Sequence, residues 1–253
     1  MDKTDRGNWT DRMRHLVPAY LSLRIDQQQE IVSIGCGGGD DVEILRELGY
    51  QAFGFDPVRY TYFHMRKPSV QPFLKQGTAQ DLPFGDKKFD YGYSLEVIEH
   101  VGCKDFKTTL MPDAEADRVE YIRACLAIIK PGGRLLLTTS NRNCPIDVGH
   151  PHKYHPLGRW LADRFHPRFG ISVPWHKGNF LPSIRDIRRY VGAAQGDGRV
   201  EVRAVTIKDY PQVAAAKGWK GRLVRAAIVV LDNPLLRTSP FCPLLNVEII
   251  RHE

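Results

Sequence analysis

IVSIGCGGGDDVEILREL, residues 31–48, passes from a short, mostly apolar run through a cluster of glycines into an amphipathic segment. The run Gln29 to Gly35 predicts a short buried strand, and Val42, Ile44, Leu45 and Leu48 recur at helical spacing, so the stretch reads strand, glycine turn, helix. The same alternation continues outward. Gln51 to Phe55 predicts a second strand ending at Asp56-Pro57, and Val58 to Lys67 a helix stopped by Pro68. Pro72 to Gln76 and Phe89 to Ser94 predict strands, Ala114 to Lys130 a long helix, and Arg134 to Thr139 a fifth strand after the turn Pro131-Gly132-Gly133. Strands that alternate with helices imply a parallel sheet. Past residue 181 the pattern predicts a helix at Ser183 to Val191, a strand at Arg199 to Ile207, a helix from Trp219 to Leu231 and a last strand at Leu245 to Arg251.

The stretch between, residues 141–181, is rich in proline, histidine and aromatics and too long for an ordinary connection, so it reads as an inserted lid after the fifth strand. It carries Arg142, Lys153, Arg159, Arg164, Arg168 and Lys177 against Asp147 and Asp163, and five of the nine histidines. No serine- or glycine-rich linker interrupts the 253 residues. The expectation is one domain over 1–253, with 1–28 an N-terminal helical segment and 141–181 the lid. The five cysteines are odd in number and lack C-x-x-C spacing, which argues against a disulfide framework and a structural zinc site. The longest apolar run, Ala226 to Leu231, is six residues, far short of a membrane span. The charged start Met1 to His15 has no signal-peptide core, so a cytoplasmic location is expected. The net charge of +7 favours anionic partners.

In an open parallel sheet the ligand crevice lies beyond the carboxyl ends of the strands, so the residues that follow each strand are read together. Gly35, Gly37 and Gly39 follow the first, where missing side chains let backbone N–H groups approach a ligand; a merely tight turn is the plain alternative. Asp56 ends the second, seventeen residues after Gly39, where a carboxylate can accept from both hydroxyls of a ribose or cap the next helix. Asp81 follows the third within GTAQDLPF, where its carboxylate can take the exocyclic amine of an adenine with Leu82 against the ring. The dinucleotide fingerprint G-x-G-x-x-G fails, because Asp40 occupies the third glycine position counted from Gly35.

With these motifs in order, the chain resembles the class I S-adenosylmethionine-dependent methyltransferases. VSIGCGGG (32–39) is similar to their glycine-rich motif and FGFDP (53–57) to their ribose motif. GTAQDLPFGDKKFDYGYSLEVIEHV (77–101) is similar to the adenine motif and fourth strand, and LAIIKPGGRLLLTTSN (126–141) to the helix and fifth strand beyond. The resemblance implies an α/β, Rossmann-like, doubly wound sheet of seven strands, mostly parallel, with an antiparallel C-terminal strand beside the sixth. It implies S-adenosyl-L-methionine as cofactor, held by Gly35, Cys36, Gly37, Gly39, Asp56, Pro57, Gln80, Asp81, Leu82, Ser94 and Leu95. One position departs: the family usually has an acid two residues before the first glycine, where this chain has Ser33, with Asp40 and Asp41 near by as substitutes.

A sulfonium methyl is already electrophilic, so the protein's tasks are alignment and acceptance of a proton. In EVIEHV, Glu96, Glu99 and His100 stand at i, i+3 and i+4, and His100 is the first candidate base, with His150 and His152 secondary. Related quinone-biosynthesis O-methyltransferases and small-RNA 3′-end methyltransferases use this region for a divalent ion, a rival role; the reading adopted here assigns no metal. The expected reaction is O-methylation of a small molecule, glycan or lipid-linked hydroxyl, the lid aromatics Trp160, Phe165, Phe169, Trp175 and Phe180 either stacking on an acceptor ring or packing on the sheet. Lys217, Lys220, Arg222 and Arg225 precede AAIVVL, an order that suits either core packing or rest on an anionic membrane. The alternatives are an RNA methyltransferase, weakened by the lack of an RNA-binding module and tested by salt-dependent RNA binding, and a non-catalytic protein that keeps the fold.

Overall fold

A computed structural model describes residues 25–57, 66–81, 83–104, 109–144, 180–195, 200–204, 218–231, 233, 235–242 and 244–252. Seven strands form one sheet: β1 (Glu30–Ile34), β2 (Gln51–Asp56), β3 (Leu74–Gln76), β4 (Phe89–Leu95), β5 (Ile129–Ser140), β6 (Val200–Ala204) and β7 (Leu244–Arg251), in the order β3-β2-β1-β4-β5-β7-β6. β1 to β5 pair in parallel. β7 lies between β5 and β6 and is antiparallel to both, which makes the expected antiparallel C-terminal strand an interior one. The helices among the described residues are α1 (Asp40–Glu47), α2 (Ala114–Ala127), α3 (Ile184–Ala194) and α4 (Gly218–Leu231), with short 3-10 turns at Gln71–Phe73 and Ile98–His100.

Alternate residues of a strand face opposite sides, and both sides of this sheet are covered, so the strands read as continuous apolar runs. Val32, Ile34, Leu135 and Leu137 pack with Tyr121, Ile122 and Cys125 of α2 and Ile187 and Val191 of α3. Their neighbours Ile31 and Leu136 join Val42, Ile44 and Leu45 of α1 on the other side. Gly54 permits α1 to come this close, since a Cβ there would stand 2.7 Å from a methyl of Val42. α3 starts with a capping box in which Ser183 accepts from the Asp186 N–H while the Asp186 carboxylate accepts from the Ser183 N–H.

The elements differ from the sequence reading mainly at their ends. The helix expected to reach Lys130 stops at Ala127, because Ile129 already pairs with Phe89 and β5 runs through Pro131-Gly132-Gly133 with an irregularity in the ladder. The strand expected to Ile207 is described as far as Ala204. The N-terminal segment before Ile25, most of the helix expected at Val58 to Lys67, and residues 145–179 of the expected lid lie outside the described residues. No described helix is long and apolar enough to cross a membrane.

Candidate functional site

A cavity of about 490 Å³ opens at the carboxyl ends of β1, β2 and β4, where the strand order reverses between β1 and β4. One wall is Ile34 and Gly35 after β1, Phe55, Asp56 and Pro57 after β2, and Thr78, Ala79 and Gln80 after β3. The facing wall is Leu95, Glu96, Val97, His100, Val101 and Gly102 after β4, closed by Asp117 and Tyr121 of α2. Six residues expected at a site thus share one cavity: Gly35, Asp56, Pro57, Gln80, Leu95 and His100.

The glycine loop is bound to the end of β2. The N–H groups of Gly35 and Cys36 both donate to the Phe55 carbonyl at 2.9 and 3.1 Å, the Gly37 N–H donates to the Asp56 carboxylate at 2.9 Å, and the Gly39 N–H donates to the Cys36 carbonyl at 2.9 Å. These donors are engaged inside the protein, so the loop offers a ligand bare Cα surface and close approach rather than the N–H cradle expected from its glycines. Gly35 sits at φ 76°, and a Cβ there would stand 2.6 Å from a methyl of Val97 on the facing wall. Asp56 is nearly buried and lines the cavity, and its carboxylate fixes the loop.

Cys36, Gly37, Gly39, Asp81 and Ser94 do not line the cavity. Cys36 is buried against α1 and β2, and burial, followed by the nearby Asp41 and Asp56 charges, pushes its thiol well up. Asp81 is exposed, with its backbone tied to Thr78: the Asp81 N–H donates to the Thr78 hydroxyl at 2.9 Å. Ser94 is fully buried, its hydroxyl paired with that of Tyr121 at 2.7 Å. Leu82, His150 and His152 lie outside the described residues.

Ser33, the position of the departure, is buried and does not line the cavity. Its hydroxyl donates to the Asp41 carboxylate, and the Tyr93 hydroxyl donates to the same oxygen at 2.7 Å. Asp41 is buried beneath the loop, and burial raises its carboxyl above the usual range against the pull of these two donors. Asp40 instead pairs with Arg66 at 2.5 Å.

The facing wall carries an acidic pair. Glu96 is the one described non-glycine residue with positive φ, at 55°, a conformation costly to a side-chain-bearing residue. Its N–H donates to the Thr138 carbonyl at 3.0 Å, and its carboxylate accepts from the hydroxyls of Thr138 and Ser140, both at 3.3 Å. Glu99 is fully buried and accepts from the Thr139 hydroxyl at 2.9 Å. Burial first, then the Glu96 charge, holds the Glu99 carboxyl well above its ordinary value. His100 faces the cavity with its ring stacked on Phe180, 6.4 Å between centroids. Among the described residues no three histidine, cysteine or acidic side chains gather as a metal ion requires.

Sequence reasoning missed Arg118 and Tyr121. Buried Arg118 donates to the carbonyls of Val101, Glu99 and Phe180 at 3.1, 3.0 and 2.6 Å, and so fastens the turn bearing His100 to α2 and to the residue on which His100 stacks. The signal was available: Arg118 falls on the stripe Ala114, Tyr121, Ile122, Cys125, a cation among core positions.

The methyltransferase-domain family matches residues 6–195. A ubiquinone biosynthesis O-methyltransferase from Stutzerimonas stutzeri is 29% identical over 143 residues, 54% of this chain and 51% of that protein. One from Cereibacter sphaeroides is 31% identical over 121 residues, 46% of this chain and 43% of that protein. The chain therefore spans about half the length of the curated relatives it matches. An S-adenosylmethionine-dependent methyltransferase structure from Mesorhizobium loti shares the fold with a TM-score of 0.52 at 16% identity, over 94% of this chain and all of that one.

Proposed function

The chain belongs to the class I S-adenosylmethionine-dependent methyltransferase family, and from that premise we propose that it moves the methyl group of S-adenosylmethionine onto a hydroxyl oxygen of a small-molecule acceptor. The reading is carried by one cavity with two unlike walls. On one, the Asp56 carboxylate stands among Ile34, Phe55 and Ala79, a set that fits a nucleoside: hydroxyls toward the carboxylate and a flat base on apolar surface. On the other stand Glu96, His100 and Asp117, groups able to take a proton.

When bound, the cofactor supplies a methyl group on a positively charged sulfur. The chain's residues do the rest: Asp56 holds the ribose, the apolar lining keeps water from the methyl, and a ring nitrogen of His100 accepts the proton the hydroxyl loses. Arg118 keeps the His100 turn against α2, which fixes the direction from which the proton is taken.

The test is release of S-adenosylhomocysteine on incubation with labelled S-adenosylmethionine and separate pools of phenols, polyols and sugars, with the product located by mass spectrometry and NMR. Turnover that requires a hydroxylated acceptor and leaves the label on oxygen is expected. Label on nitrogen, carbon or RNA, or no turnover with any hydroxylated pool, overturns the proposal.

A further inference from the structure

The sequence left two roles open for the basic segment that runs into AAIVVL, and the described side chains of α4 bear on the second, rest on an anionic surface. Trp219 is 63% exposed, Leu223 60%, and Val229 and Val230 63% each, with Ala226 exposed as well. At the helical rotation of about 100° per residue, positions 219, 223, 226 and 230 fall within an arc of about 60°. They form a single apolar stripe turned to solvent. The turns that follow add Leu235, 85% exposed, and Phe241, 69% exposed. Single exposed apolar residues are ordinary on a protein surface; an aligned row of them along a helix is not.

The chemistry of the occupant follows from charge. Residues 211–231 hold Lys217, Lys220, Arg222 and Arg225 and no acidic residue. Arg222, exposed, sits one position from Leu223 on the same helix. A row of tryptophan, leucine and valine on a helix that carries exposed Arg222, within a segment of four cations and no acid, matches a boundary that is apolar beneath and anionic above. At 14 residues the helix is about 21 Å long, too short to cross the roughly 30 Å hydrocarbon layer and suited to lying along it.

We propose that α4 docks the protein onto an anionic phospholipid surface, with Trp219, Leu223, Ala226 and Val230 seated among the acyl-chain ends and the basic residues at the headgroups. This holds whichever acceptor the cavity takes, and its test is independent of methyl transfer. Flotation with vesicles of phosphatidylcholine plus phosphatidylglycerol, compared with phosphatidylcholine alone, reads it directly. Binding to the mixed vesicles is expected, falling as salt is raised and falling at least about tenfold in the double variant L223E/V230E. That variant is expected to keep the wild-type melting temperature and cofactor affinity. A second readout is the emission blue shift on the mixed vesicles, which is expected to be largely lost in Trp219→Phe. Wild-type protein that stays unbound to the mixed vesicles, or a variant that floats as well as wild type, overturns the proposal. So does a dimer by light scattering that L223E/V230E dissociates without any vesicle binding, since the stripe is then a contact between two copies of the chain.

Discussion

Replacing Glu99 with glutamine is expected to remove a loss of stability that the protein suffers as pH rises. Glu99 is fully buried, one of its oxygens accepts from Thr139, and its other oxygen has no hydrogen-bond partner among the described residues. Burial, reinforced by the neighbouring Glu96 carboxylate, raises its carboxyl well above the ordinary 4.5. The sign follows from where the proton sits. Below the unfolded-state value both states are protonated and the group's contribution is fully present. Above it the unfolded chain ionises while the folded chain keeps its proton, so stability falls as pH rises, until the folded carboxyl ionises too. The slope is that of one proton, about 1.4 kcal/mol for each pH unit across that window. Glutamine keeps the shape of the protonated acid, donates as it does, and carries no proton to lose. Urea unfolding of wild type and Glu99→Gln, in unit steps from about pH 5 to about pH 8, is therefore expected to give curves that diverge with the variant increasingly ahead. Parallel curves would mean that the Glu99 carboxyl is not raised in the folded protein above its unfolded-state value.

Asp56→Ala is expected to weaken S-adenosylmethionine binding on the order of ten- to a hundredfold by calorimetry, the loss of charge-assisted hydrogen bonds worth about 1.5–3 kcal/mol, and unchanged affinity would remove the ribose assignment. Gly35→Ala forces a Cβ to within 2.6 Å of Val97 at φ 76°, so a stability loss of about 1–3 kcal/mol is expected by thermal melting, together with weaker cofactor binding. His100→Ala is expected to lower kcat by about two to four orders of magnitude while cofactor affinity stays within about twofold; equal turnover rates would reassign the proton. Asp186→Ala removes the carboxylate half of the α3 capping box, and the Arg142 ion pair with it, at about 1–2 kcal/mol. Burial opposes ionisation of Asp186, but the Ser183 hydrogen bonds and the Arg142 and Arg189 charges hold its carboxyl below 3.8, so its contribution is present above that pH and is lost as pH falls through the folded value. The deficit of Asp186→Ala should therefore shrink in acid.

The parts of the fold legible in advance were those dictated by local physics. A buried strand must be apolar, a helix on a sheet must repeat every three to four residues, and a tight strand-to-helix passage needs glycine; residues 31–48 satisfy all three at once. The cavity lining was legible where it lies within a residue or two of a strand end, as Gly35, Asp56 and Leu95 do, because the strand itself aims them. It was not legible farther along a loop. Asp81 stands five residues past β3, and the turn that Thr78 closes with its backbone sends Thr78, Ala79 and Gln80 to the cavity and Asp81 to solvent, a direction that no spacing encodes. Ser33, two residues before Gly35, belongs to a hydrogen-bonded group that its neighbours in sequence do not reveal. Ser33 supplies no charge, yet its hydroxyl and that of Tyr93, 60 positions along the chain, meet on Asp41 at the first turn of α1. Asp41 is buried where β1, β4 and α1 pack together and does not line the cavity. A single sequence could name Asp41 as a nearby candidate, but only the sheet order, which makes β4 the neighbour of β1, brings Tyr93 to it.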